Sequence, residues 1–344
     1  MSRVVVLGLD NMSVGEFEAM CVMGWALDGN PAVSGGGVNT IPVPDEAAAQ
    51  TWLDFGRMVV IQPADLPAYI GVIDTPWSAV SPVTLSVYDP EYLLNLRAAD
   101  APVMFTGSVD QILSQIVDVA NQGNELYLRM GDVAEIDRTY REETLDARPL
   151  WEQVQALGLR SGTEMIFRAS RGPDKRWTIR LDIGKQMGTD TGFLVSDGDN
   201  GNMKVRSASV RGEIINRMIG ISSQSTQQSR LATDPLSEAT SIGRYRMRSR
   251  TVQFRDVTDI NTLNRNTQNV LDAGSTPYLE LSVDVMNDNH AFRHLRPGNR
   301  VIAQASKIRL PGGKHGWRGT ARITNMIYQE AMNTVQMTLI GDLG

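Results

Sequence analysis

One cysteine, three histidines and 6% aromatic residues leave this chain poor in reactive side chains, and each scarcity closes off a class of chemistry. A lone thiol, Cys21, forms no intramolecular disulfide and builds no cysteine zinc site. Its neighbours Met20, Val22 and Met23 are apolar, which points to burial rather than to an activated nucleophile. The histidines (His290, His294, His315) all fall towards the C-terminal end. There is no Gly-x-Ser-x-Gly elbow, and the triple glycine Gly35-Gly36-Gly37 lacks the Gly-Lys-Ser/Thr of a phosphate loop. No run of about 18 apolar residues is present, so no membrane span is expected. Nor is there an excess of basic charge: the net charge of −6 argues against a general nucleic-acid binder. The start, Ser2-Arg3-Val4-Val5-Val6-Leu7, is too short an apolar run for a signal peptide and reads as a first strand, so folding in a cytoplasm is expected.

The 344 residues, 42% hydrophobic and 21% charged, describe an ordinary folded protein of two or three domains. Short β-branched runs at Val4–Leu9, Met58–Gln62, Tyr69–Asp74 and Val83–Tyr88 predict strands, with a Gly-rich flexible loop over Pro31–Asp45. Ser108 and Gln111 make a capping box, followed by Val109, Ile112, Leu113, Ile116, Val117 and Ala120 at helical spacing. A second helix starts near Pro149, turns Trp151, Val154 and Leu157 inward, and is expected to stop at Gly158. Strands Glu164–Ala169 and Arg176–Ile183 flank a turn at Arg171-Gly172-Pro173-Asp174, with Gly and Pro supplying its backbone angles. Strands follow at Lys204–Val210 and Ile214–Ser222, then a polar stretch, Ser223–Asp234, that reads as an exposed loop. A third helix is predicted over Asp256–Asp272, closed by Gly274. The last block alternates most clearly: Leu279, Leu281, Val283, Val285 and then Val335, Met337, Leu339, with further strands at Arg300–Ser306 and Thr320–Tyr328.

Three motifs invite a chemical reading. His290 and His294 are four apart, as zinc ligands on a helix would be, but Ala291 stands where the metalloprotease pattern needs Glu, and the flanks read as loop. Asp197-Gly198-Asp199-Asn200-Gly201-Asn202 resembles the start of a calcium loop, yet Gly201 occupies a ligand position and no Glu follows at the right distance, so a tight polar turn is the better reading. Among the 39 acidic residues no carboxylate pair stands out for glycoside hydrolysis. One charge pattern is informative: Arg244, Arg246, Arg248 and Arg250 alternate, so a strand would aim all four at one face. Such a row is a solvated face, an interface with an acidic partner or neighbouring subunit, or, third, the lining of a nucleic-acid passage.

The order of elements then resembles a known family. Val59-Val60-Ile61 with Tyr69-Ile70-Gly71-Val72-Ile73-Asp74 resembles the first barrel of phage tail hub proteins. Val83-Thr84-Leu85-Ser86-Val87-Tyr88-Asp89, Tyr92-Leu93-Leu94 with Arg97, and Phe105-Thr106-Gly107-Ser108 with its helix continue the match. The final helix, the strand over 278–285 and Leu295-Arg296-Pro297-Gly298-Asn299-Arg300-Val301 resemble the second barrel. The chain is thus similar to the baseplate or tail-tip hub (tail-associated minor tail protein) of long-tailed phages and related tail-like particles.

That resemblance implies an α+β, mainly β fold: two small tail-tube-like β-barrels with an inserted α/β region. The expected division is a first barrel at 1–95, the inserted region at 96–200, a β-rich return with a polar loop at 201–255, and a second barrel with a packed helix at 256–344. It further implies a structural, non-enzymatic hub without cofactors: a homotrimer forming a pseudo-sixfold ring that joins the tail tube to a central spike or fibre. Its implied partners are the tube or distal tail ring, the tape measure protein and the spike, with DNA only as passing cargo during ejection and a location in the virion tail after synthesis in the host cytoplasm. Many relatives carry a C-terminal endopeptidase or fibre extension; with Gly344 directly after the last strand, wall-cutting activity is expected on another protein. Arg244, Arg246, Arg248 and Arg250 are the expected interface residues. The alternative is a β-rich hydrolase or carbohydrate-binding protein of the cell envelope, with Trp25, Trp52, Trp77, Trp151, Trp177 and Trp317 as stacking platforms.

Overall fold

The unbroken run Val4-Val5-Val6-Leu7 in the first strand (β1, Ser2–Leu7) has a structural reason. Alternate side chains of a strand point to opposite faces, and here both faces are covered: Val4 and Val6 enter one core, Val5 and Leu7 a second. The computed structural model describes residues 1–27, 39–78, 83–122, 126–136, 141–145, 147–199, 201–223, 231–255, 257 and 259–343. After β1 come β2 (Ser13–Ala19), β3 (Val22–Ala26), β4 (Asn39–Val43), a short helix α1 (Asp45–Ala48), β5 (Met58–Gln62), β6 (Tyr69–Ser78), β7 (Val83–Tyr88) and α2 (Pro90–Asn95). They pair in the order β2-β1-β5-β6-β7-β4-β3. The two-faced pattern recurs in β5, where Val59 and Ile61 face the first core and Met58 and Val60 the second.

The second core is roofed by the inserted region: β8 (Val103–Gly107), α3 (Val109–Asn121), β9 (Leu128–Ala134), β10 (Arg141–Leu145), α4 (Leu150–Ser161), β11 (Glu164–Arg171) and β12 (Trp177–Gly184). The six apolar residues predicted on one face of α3 are all buried. Gln111 accepts the Ser108 N–H at 2.9 Å, while the Ser108 hydroxyl donates to Asp110. In α4, Trp151 packs on Phe167 of β11, with ring centroids 5.5 Å apart. β11, β12 and β9 form a separate three-stranded sheet, β12–β9 being parallel.

Next come β13 (Asp190–Ser196), β14 (Met203–Arg211), β15 (Arg217–Ser223), β16 (Leu236–Ser237), α5 (Ala239–Tyr245), β17 (Ser249–Arg255), α6 (Ile260–Gly274), β18 (Tyr278–Met286), β19 (Arg300–Arg309), β20 (His315–Gln329) and β21 (Thr334–Asp342). The order β13-β19-β20-β21-β18-β14 brings β13 and β14 together at its two ends, making the second barrel-like block. β20 joins the blocks. Its first half pairs with β19, and beyond an irregularity between Ile323 and Asn325 it pairs with β3, Asn325 opposite Ala26 and Gln329 opposite Val22. A single 13-stranded sheet and one continuous apolar core therefore run through both ends of the chain. The fold is α+β, mainly β, with the α/β region inserted between the two blocks.

The Pro297-Gly298-Asn299 step starts β19 by a close backbone approach. Gly298 has φ of +90° and lies against Gly188, whose own φ is +88°; a Cβ on Gly188 would come 2.1 Å from the Gly298 carbonyl carbon. Asn299 fixes the junction by accepting the Thr189 N–H at 3.1 Å.

Several expectations are corrected. Gly158 does not end α4; it makes room for Met165, whose methyl would stand 2.4 Å from an added Cβ, and the helix ends before Gly162 at φ +63°. In the 172–175 turn the positive φ belongs to Lys175, at 68°. The expected loop Pro31–Asp45 holds β4, because Ile41 and Val43 are fully buried against the first core; residues 31–38 lie outside the described residues. Of the expected loop 223–234, residues 224–230 lie outside the described residues, and Leu231–Thr233 are tied to β15 through Ser222 and Gly220. The helix expected to pack in the C-terminal block, α6, instead covers the small sheet β16-β15-β17, with Leu263 and Leu271 buried there. The predicted strand through Arg244–Arg250 is not formed: Arg244 lies in the last turn of α5, residues 246–248 are irregular, and of the four only Arg250 lies in a strand.

Candidate functional site

The residues singled out for chemistry are occupied structurally. Cys21 is buried, and burial followed by the nearby Glu330 charge pushes its thiol up to about 12, far from a nucleophile. His294 closes a 3-10 turn, Asp288–His294, and stacks on Phe193 at 5.0 Å; the His290 side chain lies outside the described residues. The Asp197 carboxylate is taken by the Ser306 N–H at 2.7 Å and the Ser306 hydroxyl at 2.8 Å. Burial works to raise its pKa, but these hydrogen bonds prevail and hold it below the usual range. Among the described residues no cluster of three or more His, Cys, Asp or Glu is placed to hold a metal. Trp25, Trp151 and Trp177 are buried, Trp52 lies over Phe17, and the Trp317 N–H donates to Asp342 O, so these five anchor packing; the Trp77 side chain lies outside the described residues.

A buried polar knot that sequence reasoning missed sits where the first barrel meets the inserted region. Tyr69 donates to Asp89 at 2.5 Å, Asn39 donates to the same oxygen at 3.4 Å, and Asn39 accepts the Gly24 N–H at 2.7 Å. Beside them is a cavity of about 30 Å3 that Trp25, Asp89 and Glu91 help to line. That is room for water and not for a substrate. The Glu91 residue keeps some surface in solvent, but its Oε2 is buried with no partner. Burial, with the charge of Asp89, pushes its carboxyl up to about 8. The knot stitches β3, β4, β6 and α2 together.

The arginine segment has a different build. Arg244, Arg246, Arg248 and Arg250 are all exposed, four cations within seven positions of a chain whose net charge is −6. Arg244 lies over the Tyr245 ring at 5.2 Å, and Arg250 pairs with Glu213 at 3.0 Å. Arg246 has φ of 63° and ψ of 162°, a region that only glycine enters freely, at a cost of about 1–3 kcal/mol. Asn216, fully buried, holds it there: its Nδ2 donates to Arg246 O at 2.8 Å and its Oδ1 accepts the Arg248 N–H at 2.7 Å. Arg248 O in turn accepts the N–H groups of Asn216 and Arg217, each at 3.1 Å. Beside the segment is a groove of about 420 Å3, floored by Ile215, Met218, Val252 and Val270 and rimmed by Glu213 and Arg250. Neither Asn216 nor the groove had a signal in the sequence, because both depend on a parallel pairing of β15 with β17.

No protein-family model matches the chain, and no curated protein matches it by sequence. Its fold is shared with solved tail proteins. Prophage tail protein gp18 from Listeria monocytogenes EGD-e superposes with a TM-score of 0.59 at 12% identity, covering 98% of this chain and 94% of that one. The 43 kDa tail protein of prophage MuSo2 from Shewanella oneidensis superposes with a TM-score of 0.60 at 12% identity, over 99% and 98% of the two chains.

Proposed function

We propose that the chain is a structural hub at the tip or baseplate of a phage-type tail. The observation that carries this reading is the fold, shared over nearly the whole length with two prophage tail proteins. In this reading the strand blocks β1–β7, and β13 and β14 with β18–β21, are two tube-like barrels, and three chains make a pseudo-sixfold ring. The ring joins the tail tube, or a distal tail ring and the tape measure, to a central spike or fibre, with DNA as passing cargo. β8–β12 with α3 and α4, and the small sheet β16-β15-β17 with α5 and α6, are accessory regions on that ring. The build favours assembly over turnover: the ligand-sized groove has a mainly aliphatic floor, with Thr251, Gln253 and the Glu213–Arg250 ion pair at its side.

The arginine segment is the proposed contact surface. Its side chains are exposed, its backbone is clamped, and its charge opposes that of the whole chain. Light scattering of the purified protein should report a trimer, and the chain should release nothing from peptidoglycan or polysaccharide. A monomer with measurable hydrolysis would establish the envelope hydrolase instead. Arg246→Glu with Arg248→Glu should block assembly with other tail components while leaving the circular dichroism and melting of the chain unchanged. Normal assembly of that variant would mean the arginines are merely solvated.

A further inference from the structure

The sheet β16-β15-β17 ends on one side at β17, which among the described residues pairs only with β15. Ser249, Arg250, Thr251 and Gln253 of β17 are exposed. An unpaired edge is a template for another strand, and proteins usually blunt it with proline, a bulge or charge. β17 contains no proline, and its register with β15 runs unshifted from Ser249 to Arg255. The device present is positive charge: Arg250 on the strand and Arg244, Arg246 and Arg248 leading into it. A basic edge repels basic strands and attracts acidic ones, so the same charge gives specificity. The aliphatic groove opens beside this edge, and Met247, 61% exposed, stands next to it.

We propose that the β17 edge takes an extended, acidic segment of a partner protein by strand addition. The segment's backbone pairs with β17, its alternate apolar side chains enter the groove, and its carboxylates meet Arg246 and Arg248. This rests on the reading of these arginines as an interface and names what they bind. Charge complementarity selects the occupant, since exposed Arg246 and Arg248 beside an apolar floor match acidic and aliphatic residues in alternation. The Asn216 clamp supplies preorganisation of the backbone: it fixes the main chain that carries Arg246, so only the side chain is ordered on binding.

The test uses the full chain and a fluorescein-labelled seven-residue peptide of alternating Glu and Val, matched to the length of β17. Polarisation should show saturable binding that weakens with salt, and at least tenfold weaker binding of a Lys-Val counterpart. Arg246→Glu with Arg248→Glu should lose about tenfold or more in affinity. Arg246→Gly should raise the melting temperature, by relieving strain, yet weaken the peptide. Methylating alternate peptide nitrogens should abolish binding. Equal binding of the methylated peptide, or of the Lys-Val peptide, overturns strand addition by an acidic segment. If the peptide does not bind while the double arginine variant splits a self-assembled oligomer, the face is a contact between copies and the proposal falls. A wild-type trimer that ignores the peptide leaves the hub reading standing, and peptide binding by a stable monomer does the reverse.

Discussion

Arg322 of β20 should hold the inserted region onto the second barrel. Its two terminal nitrogens meet both carboxylate oxygens of Glu164 at the start of β11. One of them also donates to Met187 O at 2.8 Å, Nε donates to Gly298 O at 3.2 Å, and Glu164 accepts the Met187 N–H at 2.6 Å. The two side chains are only 19% and 18% exposed, so Arg322→Met leaves a carboxylate largely out of water with one remaining donor. Breaking one side of a buried pair costs about 3–5 kcal/mol, and the residual exposure here places the expectation near the lower end, about 3 kcal/mol. Unfolding entropy scales with length to about 0.7 kcal/mol/K for a chain of this size, so the melting temperature should fall by about 4 °C. Scanning calorimetry and urea unfolding followed by tryptophan fluorescence read both quantities. Glu164→Gln combined with Arg322→Met should recover most of the loss, because no charge is then stranded. A loss below about 1 kcal/mol for Arg322→Met, or no recovery in the double variant, would show the pair to be as weak as a surface ion pair and refute the reasoning.

Two further outcomes follow from other buried groups. Burial, together with the Asp89 charge, raises the Glu91 carboxyl from 4.5 to about 8 in the folded chain, so the native state binds the extra proton and stability should fall as pH rises through that window. Glu91→Gln should flatten the dependence of melting temperature on pH between about 4.5 and 8, and parallel profiles for the two proteins would contradict this. Gly298→Ala forces a φ of +90° on alanine and sets its Cβ 2.8 Å from Met187 O, so a loss of about 2 kcal/mol in urea unfolding is expected. A midpoint unchanged from the parent would mean that the Gly188–Gly298 crossing relaxes freely.

The legible parts of the fold are those whose cause is local. The alternation over Leu279–Val285 and Val335–Leu339 gave strands whose inward residues are all buried, and they pair with each other in register. Ser108 and Gln111 marked the start of α3 because capping is decided within one turn. Where the cause is distant, local pattern misled. Gly158 looked like a helix stop, but its reason is the Met165 methyl across the turn. The seam of β20 with β3 couples residues from opposite ends of the chain, and no periodicity encodes a pairing of that range. The polar knot at Tyr69 and Asp89 draws on four separated elements, each residue unremarkable where it stands.

The arginine segment is the instructive misreading. Alternating charge has the period of a strand, yet Glu238 caps a short helix by accepting from Thr240 and Ser241, which carries the chain through Tyr245. Asn216, thirty positions from Arg246, then fixes the irregular turn that follows. The four guanidinium groups therefore do not form one row. Residues that hold the fold (Arg322, Gly298, the core valines) are buried or crowded, and changing them should cost stability first. The arginines lie outside both barrel cores, on α5, the turn after it and the start of β17, and one of them is kept in a conformation that a glycine would adopt more easily. Assembly defects without folding defects should therefore arise at Arg246 and Arg248 and not at Arg322 or Gly298.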